Sequence, residues 1–156
     1  MTIETQDNWL SGEEVKKLLL DGRLPRSRGD KTIIDYIDIP CATFRRDVDL
    51  RGTTIEGRCE FDGATFEGWL NFENANFLAG ASLMGAIVQG DNAGISFENA
   101  TMLGELVLTS VTIARGSHLN LSFKPGFEPK RIRVDTELAP IVHWAAPKIP
   151  LVLYHR

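Results

Sequence analysis

Large apolar residues recur along this chain at alternating intervals of five and six. That period fits neither a 3.6-residue helix nor a long alternating strand. Phe44, Leu50, Ile55, Phe61, Phe66, Phe72, Phe77, Leu83 and Val88 stand 6, 5, 6, 5, 6, 5, 6 and 5 residues apart. After a gap of nine the beat resumes at Phe97, Met102, Leu108, Ile113 and Leu119, spaced 5, 6, 5 and 6. The gap is six plus a three-residue insertion, for which Gly90-Asp-Asn-Ala-Gly94 supplies loop-forming residues. Two residues before each beat stands a second column: Ala42, Val48, Thr53, Cys59, Ala64, Leu70, Ala75, Ala81, Ala86, Ile95, Ala100, Leu106, Val111 and Ser117. Most of these are small and none is charged. One large and one small inward position per unit describe very short strands joined by corners. Gly52, Gly57, Gly63, Gly68, Gly80, Gly85 and Gly104 fall at those corners, where positive φ suits glycine. The pattern is that of a solenoid with a ladder of large side chains as its core.

The blocks Ala64-Thr-Phe-Glu-Gly68, Ala75-Asn-Phe-Leu-Ala79, Ala81-Ser-Leu-Met-Gly85 and Ala100-Thr-Met-Leu-Gly104 carry a family resemblance. They resemble the pentapeptide repeat, A-(N/D/T/S)-(L/F)-x-G, in the variant that alternates five- and six-residue units. The resemblance runs from Ala42 to Leu119, with weaker beats at Ile33 and Ile39. It implies an all-β solenoid, a right-handed quadrilateral parallel β-helix with large centres stacked on a dry axis. Leu70, Ile95 and Leu106 are bulky for the small column, so the cross-section should be less square at those coils. The left-handed hexapeptide β-helix of acyltransferases would need a strict period of six and a catalytic His on a coil. This period is not strict, and only His118 lies in the solenoid.

Three segments follow from the beat: residues 1–30 as an N-terminal cap, 31–123 as the β-helix and 124–156 as a tail. Ser11-Gly-Glu-Glu14 reads as a capping box, with Leu10 and Val15 placed for a hydrophobic staple. Val15, Leu18 and Leu19 share a face and Gly22 is a helix stop, so a helix over Gly12 to Asp21 should plug the first coil. Pro25 to Asp30 reads as a connecting loop. Past Lys124 the beat breaks and five prolines intervene, which forbids a continuous helix. The tail is expected to be irregular and to pack on the last coil or along one face. A tail swapped between two copies and a membrane-surface anchor are the alternatives, and few basic residues flank its apolar ones.

Chemistry is sparse. A formal charge of -4 argues against direct nucleic-acid binding. Two cysteines cannot build a disulfide scaffold or a four-thiolate zinc site, and no apolar run approaches a membrane span. Cys59 lies in the inward column as core filler while Cys41 points outward. His118, His143 and His155 are scattered, with no Walker loop, G-x-S-x-G or Cys-x-x-Cys. Neither catalysis, a metal nor a cofactor is expected. The first residues lack a basic and an apolar signal region, so the reading expects a cytoplasmic protein. On that ground Arg28-Gly-Asp30, Asn99-Ala-Thr101 and Asn120-Leu-Ser122 are read as chance matches to tripeptide motifs.

The exterior says more. Glu56, Glu60, Asp62, Glu67, Glu73, Asp91, Glu98 and Glu105 all fall outside the inward columns, with only Arg58 to balance them in that stretch. This acidic belt reads first as a solvating face. The resemblance adds a sharper reading, because relatives that bind DNA gyrase present acidic β-helices to its DNA site. Three and a half coils at ~4.8 Å each would make a rod of only roughly 17 Å, short for duplex mimicry. Trp69, Leu78, Met84, Ile87, Leu103 and Val107 are also predicted outward, as an apolar patch that meets a partner or receives the chain's own tail. The expected function is therefore a non-enzymatic scaffold presenting a rigid surface to an unidentified protein partner or to itself. A gyrase-binding DNA mimic is the alternative, and a small acyl- or sugar-active enzyme the third class.

Overall fold

The computed structural model describes residues 9–23 and 32–155. The expected loop Pro25 to Asp30, with its Arg28-Gly-Asp30 tripeptide, lies outside the described residues. A strand β1 (Trp9–Leu10) and a helix α1 (Gly12–Leu20) precede the coils. The first coil is β2 (Ile33–Ile34), β3 (Ile37–Asp38), β4 (Thr43–Phe44) and β5 (Val48–Asp49). The second is β6 (Thr54–Ile55), β7 (Cys59–Glu60), β8 (Thr65–Phe66) and β9 (Trp69–Asn71). The third is β10 (Asn76–Phe77), β11 (Ala81–Ser82), β12 (Ile87–Val88) and β13 (Gly94–Ser96). The fourth is β14 (Thr101–Met102), β15 (Leu106–Leu108), β16 (Thr112–Ile113) and β17 (His118–Asn120). Then come β18 (Ile132–Asp135), a second helix α2 (Ala139–Ala145) and β19 (Leu151–Tyr154).

Strands of successive coils pair in parallel into four sheets. Face A is β1-β2-β6-β10-β14, face B β3-β7-β11-β15-β18-β19, face C β4-β8-β12-β16 and face D β5-β9-β13-β17. The molecule is a quadrilateral parallel β-helix. It is longer than the beat suggests, because face B has six strands, which at ~4.8 Å between neighbours span roughly 24 Å.

The alternation of five and six is a record of two kinds of corner. Corners B–C and D–A take five residues and close as turns, as in Ala64 N–H to Phe61 O (3.1 Å) and Ala75 N–H to Phe72 O (2.9 Å). Their third residue has positive φ, as at Gly63 (72°) and Asn74 (62°), the mark of a type II turn. Corners A–B and C–D take six residues, and their glycines serve another purpose. A Cβ on Gly80 would lie 2.3 Å from the Glu105 carbonyl oxygen of the coil above, so neighbouring coils approach too closely for a side chain.

Inside, aromatic rings build stacked columns. Phe44 lies flat on Phe66 at 5.3 Å between ring centres, and Phe72 on Phe97 at 5.2 Å. Phe61 and Phe77 meet these columns edge-on, so rings of neighbouring faces interlock along the axis. Leu50, Ile55, Leu83, Val88, Met102 and Leu108 complete the buried ladder. Two expectations need correction at the top. Ile113 sits over Val88 as expected but is only half-buried, because no rung covers it. Leu119 sits over Ile95 and not over Phe97. The Asn120 carbonyl accepts the Phe97 amide, which brings buried Leu121 into the central position instead. The corner from face C to face D carries extra residues in the fourth coil as well as the third, so the six-residue spacing from Ile113 to Leu119 is coincidental.

The ends are closed differently. Ser11 Oγ accepts the Glu14 amide and Glu14 Oε1 the Ser11 amide, each at 3.1 Å, so the capping box starts α1 as read. Val15 and Leu19 drop from α1 into the core beneath the first coil. The tail is not irregular. β18 lays a fifth rung on β15, α2 places Val142 in the core, and β19 pairs with β18. Pro140 is tolerated because it lies in the first turn of α2, where its missing N–H would have no helical partner. Among the described residues no helix is long and apolar enough to cross a membrane.

Candidate functional site

The acidic belt is continuous in sequence and dispersed in space. Glu56 follows face A, Glu60 and Asp62 belong to face B, Glu67 follows face C, and Glu73 and Glu98 stack beside face D. Several are already engaged. The Arg58 guanidinium grips Glu60 (Nε to Oε2, 2.9 Å), and its pairing holds the arginine above its usual range. Asp62 accepts from Ser82 Oγ at 2.6 Å and from the Met84 amide at 3.1 Å. Trp9 Nε1 donates to Glu56 at 3.4 Å. Glu105 is clasped by Arg133 (2.7 Å) and Arg131 (3.0 Å), and the hydrogen bond from Arg133 holds its carboxyl below the usual range. Glu67 and Glu98 stay exposed, and Glu73 is half-buried near Arg51. The acids therefore present no single negative face.

The apolar candidates separate likewise. Leu78 (48% exposed) and Leu103 (55%) stack one coil apart at the A–B corner. Exposed Met84 and Ile87 flank the B–C corner, and half-buried Val107 lies on face B beneath Arg133. Trp69 is on the opposite side, on face D. The tail stacks on the last coil and leaves Leu78 and Leu103 open, so the expectation that it covers this patch is not met.

Face D is the most organised exterior. Its outward residues form a central column Asp49, Asn71, Ser96 and Asn120, in register through the four coils. Each accepts a hydrogen bond from the backbone amide two residues on: Arg51 (3.1 Å), Glu73 (2.9 Å), Glu98 (3.3 Å) and Ser122 (2.9 Å). These local turns fix the side chains. On one flank Asp47 Oδ1 accepts the Trp69 amide at 2.8 Å, and the Trp69 ring crosses Gly94 to stack on His118, 5.8 Å between centres and 3° between planes. Gly94, expected in the loop, instead opens β13. A Cβ there would lie 2.7 Å from the Trp69 ring, so glycine makes room for the indole. The other flank carries Arg51, held by both oxygens of Asp49 at 2.8 Å, with Glu73 and Glu98. A groove of about 430 Å³ follows this face and adjoins one of about 590 Å³ that reaches Trp144 on α2.

Sequence reasoning missed the open upper end. β19 is the last strand of face B, so among the described residues one of its edges has no strand beside it. Leu153, in register with buried Val134, is 50% exposed, and no further rung among the described residues covers it. Tyr154 bonds Arg133 through its hydroxyl and is also exposed. A four-residue strand after several prolines has no beat to announce it.

For chemistry, both cysteines are free; Cys41 is exposed, and burial pushes the Cys59 thiol far up in pKa, so it stays neutral. Among the described residues no group of three or more His, Cys, Asp or Glu converges as a metal site. Residues 42–87 match a family model described as pentapeptide repeats, in nine copies. No curated protein and no solved structure matches the chain.

Proposed function

The chain is a pentapeptide-repeat protein, and from that premise we propose that it is a non-enzymatic interaction module engaging a protein partner at its open upper end. The observation that carries this reading is the unpaired edge of β19 beside half-exposed Leu153, at the end of a six-stranded sheet. A free, apolar sheet edge is a template for another strand, and proteins otherwise blunt or cover such edges. At the lower end α1 plugs the axis, and the edge strand there is the two-residue β1, half the length of β19. The partner contributes a strand, and a second copy of the chain is the first to test. Duplex mimicry toward DNA gyrase has no comparable support, since Glu60 and Glu105 are arginine-bound and the acids face several directions.

Light scattering across a concentration range, with parallel affinity capture, tests the reading in wild type and Leu153→Asp. The expected result is association or capture by the wild type and its loss in the variant, with unchanged circular dichroism. If the wild type neither self-associates nor captures any protein through Leu153, the reading falls.

A further inference from the structure

Face D carries an arrangement that the strand edge on face B does not need. Three columns run along it over successive coils: aromatic Trp69 and His118 bridged across Gly94, then the hydrogen-bonding ladder, then Arg51, Glu73 and Glu98. We propose that this face is a binding site for a linear, uncharged oligosaccharide laid along the coil axis.

The chemistry of each column limits the ligand. Trp69 and the 85%-exposed Trp144 offer flat apolar surface at the two sides of the upper groove, suited to the C–H face of a sugar ring. Asn71 and Asn120 are neutral and half-exposed, with buried Ser96 between them. Both asparagines already accept a backbone amide, so little side-chain freedom is lost when a hydroxyl docks. The rungs repeat at ~4.8 Å, so equivalent groups recur on a length comparable to successive rings of a sugar chain. Charge selects further. Arg51 is occupied by Asp49, while Glu73 and Glu98 add negative charge to the rim. A uronate polymer or a nucleic-acid strand would meet repulsion there. The grooves are open and shallow, which suits a chain bound along its length.

Calorimetry and tryptophan fluorescence with cellohexaose and chitohexaose test the site, with hexagalacturonate as the charge control. At least one neutral hexamer should bind and quench emission, its disaccharide should bind more weakly, and hexagalacturonate should not bind. Trp144→Ala, at a position too exposed to affect folding, should weaken binding by about tenfold or more, as truncation of an aromatic anchor does. Trp69→Ala should do the same, with circular dichroism confirming the fold. Failure of both neutral hexamers to bind at millimolar concentration would overturn the proposal. So would equal binding of hexagalacturonate, or unchanged affinity in the Trp69→Ala/Trp144→Ala double variant.

Discussion

The two ends of this solenoid solve the same problem in opposite ways. Below the first coil, α1 turns Val15 and Leu19 into the axis and seals it, and a complete capping box begins that helix. Above the fourth coil, face B alone continues through β18 and β19, and α2 covers the axis with Val142 while Leu153 stays half-exposed. Beside α1 the outermost strand of face A is the two-residue β1, so the edge left at the lower end is short. A further strand only moves the edge one rung outward. Each end keeps an edge strand, and the upper one is the longer and lies beside half-exposed Leu153.

Charge placed at each end should separate them most sharply. Val15→Asp puts an unpaired carboxylate into a fully buried site and should cost more than about 4 kcal/mol, enough to abolish a cooperative melt. Leu153→Asp changes a half-wet position and should stay within about 1 kcal/mol of wild type. Thermal denaturation of both checks this. Comparable losses would mean that the upper end is as closed as the lower.

A smaller contrast comes from cavities at different heights. Phe72 touches Phe61, Phe77 and Phe97 in the middle of the stack, so Phe72→Ala should cost about 3–5 kcal/mol. Ile113, at the half-buried top of face C, should lose only about 1–2 kcal/mol on truncation to Ala. Urea titrations give both values, and equal costs would show that the top rung is packed as tightly as the middle.

What could be read from sequence follows the same division. From Phe44 to Leu108 one beat gives the ladder, because every coil repeats its corners and the insertion at Gly90 keeps phase. The reading fails where spacing and stacking separate. Leu119 keeps the numerical beat, yet an enlarged corner shifts it onto Ile95 and hands its place to Leu121. Arg131-Ile-Arg-Val134 alternates as β18 requires, whereas the two-residue β1 and the isolated β19 show no period. The prolines do forbid one continuous helix through the tail, but the short α2 forms before Pro147 with Pro140 in its first turn. On the exterior the residue types were visible but their neighbours were not. Glu98 and Asn120 come together only through coils of 22 to 25 residues, and the arginines that neutralise Glu105 come from the tail.

The helix that seals the lower end depends on its first turn. Ser11→Ala removes the oxygen that accepts the Glu14 amide and should cost about 1 kcal/mol. The loss should be local, so hydrogen exchange should quicken in α1 while β10 and β14 keep their protection. Uniformly faster exchange would mean that α1 and the coils unfold as one unit, and that the end cap is no separate element.

The smallest effect concerns how the fifth rung is fastened to the fourth coil. Arg131 and Arg133 reach from the tail to Glu105, next to β15, and the hydrogen bond from Arg133 is the largest cause of that carboxyl's lowered pKa. A carboxyl with a lowered folded pKa stabilises above its ordinary value of 4.5, and the contribution disappears as pH falls through the folded value. The site is half-exposed, so screening keeps the contribution small and salt should reduce it. Acidification from about pH 6 to about pH 3 should therefore loosen amide exchange in β18 and β19 more than in β2 and β6, after correction for intrinsic rates. In Glu105→Gln the upper strands should begin looser and lose this extra acid sensitivity. If wild type and variant respond alike, the pairing between β15 and β18 holds without the ion pairs, and the upper end is fastened by its backbone alone.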